Sequence, residues 1–150
     1  MSNEFFNLIY NKSLDILSRR EHSKKEIKEK LKKRFNEKEI VDDVVLKLLG
    51  NNLVNYKRFA ESYVTTRKRK GFGPKKIMFE LISKGVEELI AKEVISVEGG
   101  WSEAAKLAYT KKFVNNFNYK NKDKVKQKSF LQNRGFSFQQ IESVFSNDML

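Results

Sequence analysis

The sequence has no cysteine, one histidine (His22) and one proline (Pro74) in 150 residues. The lack of cysteine excludes disulfides, thiolate metal sites and cysteine nucleophiles. One histidine cannot build a multi-histidine metal centre within a chain, and no Ser–His–Asp arrangement is indicated. His22, beside Ser23, reads as a packing or capping neighbour rather than a general base. A nuclease would need clustered acidic metal ligands, and none stand at usable spacing. No cofactor, metal or catalytic residue is therefore expected. Long apolar runs are missing as well. No stretch approaches the roughly 18 apolar residues of a membrane span, and the opening MSNEFFNLIYNK lacks the apolar run of a signal peptide. The expectation is a cytoplasmic protein with no membrane partner.

Acid is in short supply. Thirty-one Lys and Arg face 19 Asp and Glu, for a net charge of +12. The excess is +3 over residues 1–54, +4 over 55–100 and +5 over 101–150. Charge spread over the whole length suits a surface facing an extended polyanion or an acidic partner. The plainer alternative is a device for solubility.

What is present points to helix. With one proline and seven glycines there are few breakers, while Lys, Glu, Leu and Ile abound. A hydrophobic content of 39%, with 12 Phe, 5 Tyr and one Trp, is too high for a disordered basic tail. Apolar residues recur at helical spacing, as in Phe59, Ala60, Tyr63 and Val64 or Ile40, Val41, Val44, Val45 and Leu48. No segment keeps strand alternation for long. The chain reads as all-α.

Helix start and stop signals repeat. Ser23 with Glu26 forms a capping box, in which hydroxyl and carboxylate satisfy each other's orphan amides. Asn36 with Glu39 is an analogous pair flanked by Phe35 and Ile40, and Ser137 with Gln140 is another, flanked by Phe136 and Ile141. Leu31, Leu81 and Leu131 stand 50 residues apart, as do Val44, Val94 and Val144. Gly85 and Gly135 supply the left-handed position that ends a helix; the first copy has Arg34 there and must close differently. The repeat predicts three tandem units, 1–54, 55–98 and 99–150, each of three helices. These are expected at 4–19, 24–34 and 37–49, then 56–70, 74–84 and 87–97, then 102–118, 121–134 and 138–147. The units would stack as an elongated array of right-handed, helix-turn-helix-like bundles that share core, since about 50 residues are marginal alone. One compact nine-helix domain is the competing arrangement. Trp101, after Gly99 and Gly100, is expected to plug core between units.

The stretch RKRKGFGPKK, residues 67–76, packs six cations and no acid around Gly71, Gly73 and Pro74. Gly73 suits an N-cap and Pro74 the first helical position, where its missing amide costs nothing. GFG is not a nucleotide loop, because no third glycine, preceding strand or following Lys-Ser/Thr accompanies it. The turn is structural, and it gathers Arg67, Lys68, Arg69, Lys70, Lys75 and Lys76. Like charges at i, i+4 repel by a few tenths of a kcal/mol each, so a cluster without acids favours a binding role over a solvated face. Phe72 offers either a core anchor for this turn or a ring on which a base could stack. In SKKEIKEKLKKRF, Glu26–Lys30 and Glu29–Lys33 have the spacing of stabilising pairs, leaving Lys24, Lys28 and Lys32 as an unpaired row.

LDILSRREHSKKEIKEKL (14–31), YKRFAESYVTTRKRKGFGPKKIMFELISKGV (56–86) and FLQNRGFSFQQI (130–141) resemble the RecX family of bacterial recombination regulators, in order and spacing over nearly the whole chain. The most specific parts are Arg20-Glu21-His22-Ser23, Arg58-Phe59-Ala60-Glu61 and Gly71-x-Gly73-Pro74-x-x-Ile77, followed by Glu80-Leu81-x-x-Lys84-Gly85. The chain departs from the family pattern at VNYK (54–57), where an acidic pair is usual, and before Phe35, where a glycine is customary. The resemblance implies a non-enzymatic, monomeric modulator of the RecA recombinase. Such a protein lies in the groove of the RecA–single-stranded DNA filament, hinders its growth and lowers ATP hydrolysis, strand exchange and coprotease activity. The expected DNA or filament contacts are Arg67, Lys68, Arg69, Lys70, Lys75 and Lys76, with Arg20, Lys24 and Lys28 as second choices. An operator-binding helix-turn-helix protein is the alternative, and it would show sequence selectivity.

Overall fold

The computed structural model describes residues 2–115 and 123–146, and all regular structure in them is helical. The helices are α1 (Ser2–Arg19), α2 (Lys24–Arg34), α3 (Lys38–Gly50), α4 (Tyr56–Arg69), α5 (Pro74–Ser83), α6 (Glu88–Glu98), α7 (Trp101–Tyr109), α8 (Lys124–Asn133) and α9 (Phe138–Ser146), with a π-helical turn at Thr110–Val114 prolonging α7. They pack in triplets: α1–α3, α4–α6 and α7–α9.

The internal repeat is exact at the second helix of each triplet. α2, α5 and α8 begin at 24, 74 and 124, behind N-caps Ser23, Gly73 and Asp123. Leu31, Leu81 and Leu131 are fully buried. The Ser23–Glu26 capping box forms with both bonds, and Ser137 with Gln140 forms the same reciprocal pair. Such caps stabilise a helix start by about 0.5–2 kcal/mol. Gly85 and Gly135 end α5 and α8 at φ +91° and +103°, in the conformation that side chains disfavour.

The first triplet departs where its glycine is missing. Phe35 leaves α2 extended, at φ −122° and ψ 136°, so α3 starts only at Lys38, behind Glu37. The expected Asn36 cap therefore does not form; Asn36 instead accepts the Lys38 amide through its backbone carbonyl. In the third triplet α7 begins at Trp101 and gives way to the π-helical turn after Tyr109. The expected helix segments at 116–118 and 121–122, and residue 147, lie outside the described residues.

Core is shared unevenly. Phe59, Ile77, Leu81, Trp101, Leu131 and Phe136 belong to one cluster spanning the middle and third triplets. Trp101 is buried in it and donates Nε1–H to the Ile95 carbonyl at 3.0 Å, between units as expected. The first triplet instead keeps its own core, built on Ile9, Ile27, Leu31, Val41, Val44 and Leu48. The expectation that every neighbour shares core fails there. That joint is polar: Glu21 pairs with Arg58 at 2.6 Å, Glu26 with Lys84 at 3.2 Å, and the Lys25 ammonium donates to the Ser83 carbonyl at 3.0 Å.

Candidate nucleic-acid interface

The two joints set the second helices end to end. At the C-terminus of α8, the carbonyls of Arg134 and Gly135 accept the amides of Gly73 and Lys75 at 2.7 and 2.9 Å, at the start of α5. At the C-terminus of α5, Ser83 and Lys84 meet Lys25 and Glu26 of α2. A segmented ridge, α8–α5–α2, thus runs through all three triplets. Its exposed residues include Lys126 on α8, Lys75, Lys76 and Phe79 on α5, and Lys25 and Lys33 on α2.

The cations of 67–76 divide into two sets. Arg67 turns inward and grips Glu80 with Nε and one terminal nitrogen, at 3.0 and 2.8 Å. Its guanidinium also lies 3.7 Å from the centre of the Phe72 ring. Glu80 accepts from the Tyr63 hydroxyl as well, and burial followed by that carboxylate pushes the Tyr63 phenol up to about 12. Lys68 reaches Glu98 at 3.1 Å and the Gly99 carbonyl at 2.8 Å, which ties α4 to the turn before Trp101. Thr65 also donates to Glu98; its hydrogen bond, then the Lys68 ammonium, outweigh burial and hold that carboxyl below the usual range. Arg67 and Lys68, both among the expected contacts, are therefore engaged within the fold. Arg69, Lys70, Lys75 and Lys76 are exposed around the turn.

Phe72 is half-buried against the core and flanked by Arg67, Lys76 and Arg134, so it anchors the turn rather than presenting a free face. Arg134, from the third triplet, completes the cluster; its guanidinium faces the Lys70 carbonyl at 3.5 Å. Sequence proximity could not reveal it, although the repeat places it beside Gly135, the partner of Gly85.

Among the second choices, Arg20 pairs with Glu26 at 3.2 Å and Lys28 with Asp42 at 3.1 Å. Lys32 also reaches Asp42, at 3.3 Å. The supposed unpaired row thus reduces to Lys24, because α3 supplies an acid that local spacing does not show. The Glu26–Lys30 pair does not form either. Burial would raise the Glu26 carboxyl, but hydrogen bonds from Arg20, the Ser23 amide and Lys84 hold it at about 2. Nor do Glu29 and Lys33 come within ion-pair distance among the described residues.

Two sequence profiles match: that of the RecX second three-helix domain over residues 57–95 and that of the first over 10–48. The regulatory protein RecX of Pseudomonas tolaasii is 31% identical over 135 residues, covering 89% of this chain and 87% of its own. The chain belongs to the RecX family. The RecX of Serratia proteamaculans (strain 568) is 30% identical over 162 residues, covering 93% and 96% of the two chains. The crystal structure of RecX from Lactobacillus salivarius aligns with a TM-score of 0.76 at 25% identity, over 99% of each chain. A helical repeat array is thus the RecX architecture, and the domain matches on 10–48 and 57–95 fall within the first two triplets described above.

Proposed function

We propose that this protein lies along a RecA filament on single-stranded DNA and restrains its growth, ATP turnover, strand exchange and coprotease activity, as a cytoplasmic monomer. The observation that carries this reading is the α8–α5–α2 ridge with exposed Arg69, Lys70, Lys75 and Lys76 beside its central segment. An elongated basic body of this kind fits a helical groove floored by phosphates, and contacts to phosphates read no sequence. With Arg67 and Lys68 held by Glu80 and Glu98, four cations of the turn remain for the polyanion. Of the residues on the first triplet, Lys24 adds a further cation without a carboxylate partner, while Arg20 and Lys28 would have to leave Glu26 and Asp42 to join the contact.

The test is a titration of the protein into RecA on single-stranded DNA, following ATP turnover and filament length. The parent lowers both. A variant carrying Arg69→Glu, Lys70→Glu, Lys75→Glu and Lys76→Glu keeps its helicity and loses the effect. Equal inhibition by parent and variant overturns the assignment of this surface.

A further inference from the structure

A second concentration of charge lies away from the 67–76 turn, between α1 and α2 of the first triplet. A cleft of about 630 Å³ is lined there by Lys12, Arg19, Arg20, Lys30, Lys33 and Arg34, with no carboxylate in its wall. The volume falls in the range of small-ligand sites, about 300–1,000 Å³. Two acids outside the wall answer part of the charge: Asp15 pairs with Lys12 and Arg19, both at 3.3 Å, and Glu26 pairs with Arg20. Lys30, Lys33 and Arg34 have no carboxylate within ion-pair distance among the described residues.

The floor of the cleft is unusual. His22 is buried, and its Nδ1 hydrogen-bonds the Arg20 carbonyl at 3.0 Å, so it carries the proton on that nitrogen. Nε2 then accepts from the Lys30 ammonium at 2.7 Å. A lysine whose close partner is a neutral ring, in a ring of further cations, lacks the anion that would balance it. Convergence on one spot also distinguishes this site from the ridge, where charge is strung out as a nucleic-acid backbone needs.

We propose that this cleft binds an oligophosphate, two or three linked phosphates, either free or carried by a nucleotide. A terminal phosphate carries about 1.5–2 negative charges at neutral pH, and linked phosphates place several such oxygens within one cleft. Arg34 and Arg19 offer forked donors to them, and Lys30 offers protons from the floor. The apolar flank of Ile16 closes one side. The cleft shares only Arg20 and Lys33 with the ridge assigned to the filament, and the variants below touch neither.

The test uses the full chain alone, without recombinase or DNA, so it stands apart from the filament reading. Titration calorimetry and thermal melting are run with sodium tripolyphosphate, ATP and sulfate at matched ionic strength. Tripolyphosphate is expected to bind at one site and raise the melting temperature. Lys30→Met with Arg34→Met weakens binding by about tenfold or more, whereas Lys75→Met with Lys76→Met leaves it unchanged. ATP equal to tripolyphosphate identifies phosphate alone as the ligand, and tighter ATP identifies a nucleotide. The lone imidazole gives a single Hε1 resonance in the parent protein, which the ligand must move through Lys30. An unmoved resonance, or a sulfate effect as large as that of tripolyphosphate, overturns the proposal.

Discussion

Gly73 and Gly135 cross with no room for a side chain on either. A Cβ on Gly73 would lie 2.5 Å from the carbonyl carbon of Gly135, and one on Gly135 would lie 2.6 Å from the Lys76 amide nitrogen. Both obstacles are backbone, which cannot swing aside. This crossing welds the middle and third triplets, so GFGP is a joint as much as a turn.

Gly73→Ala is accordingly expected to lower stability by about 1–3 kcal/mol or somewhat more, the usual range for overpacking. Gly135→Ala adds the strain of its positive φ, about 1–2 kcal/mol. Gly50→Ala is the control. Nothing lies within 4 Å of its would-be Cβ, at the end of α3, and it should be neutral or stabilising by up to about 1 kcal/mol. Urea midpoints of the three variants order the sites.

The inward and outward cations should separate cleanly. Arg67→Ala strands the Glu80 carboxylate, which is only 20% exposed, and should cost about 1–3 kcal/mol. Lys75→Ala with Lys76→Ala should change stability by no more than about 0.5 kcal/mol while weakening binding to single-stranded DNA. Melts and fluorescence anisotropy on the same samples check both halves.

Salt dependence follows from the same division. Four phosphate contacts predict a log–log slope near −3 on single strands; all six cations of the turn would give one steeper than about −4. A measured slope at the steeper value would mean that Arg67 or Lys68 leaves its carboxylate on binding.

Acid should loosen the first triplet in two stages. Burial first, and then the charges of Arg20 and Lys30, hold the His22 imidazole below its ordinary 6.5, against the opposing pull of the Arg20 carbonyl. Protonation is thus easier in the unfolded chain. The stability that neutral His22 contributes is present above pH 6.5 and is lost as pH falls toward its folded value. Glu26, ordinarily 4.5 and held at about 2, contributes stability above pH 4.5 that disappears as pH falls through 2. Urea midpoints measured from neutral pH downward should decline in both windows. Glu26→Gln, which can still cap α2, should flatten the lower one.

Local chemistry was the readable part of the sequence. The Ser23 and Ser137 boxes, Pro74 behind Gly73, and the left-handed Gly85 and Gly135 all depend on neighbours within four residues, and the structure has each of them. Leu31, Leu81 and Leu131 made the threefold repeat visible because a buried position tolerates little change. Asn36 failed because a missing glycine upstream altered how the chain leaves α2. The partners of Arg67, Lys68 and Lys28 were not readable, since Glu80, Glu98 and Asp42 come from other helices. The Gly73–Gly135 contact was hidden for the same reason: each glycine has a sufficient local explanation, and nothing in either motif names the other.

Placing α8, α5 and α2 head to tail has an electrostatic consequence. Each helix ends in partial negative charge and begins in partial positive charge, about half an elementary charge at either end. Where α8 meets α5, the carbonyls of Arg134 and Gly135 meet the Gly73 and Lys75 amides and the two ends neutralise one another. The three short rods then act as dipoles in series, fixed to one another by backbone where α8 meets α5 and by side-chain pairs where α5 meets α2.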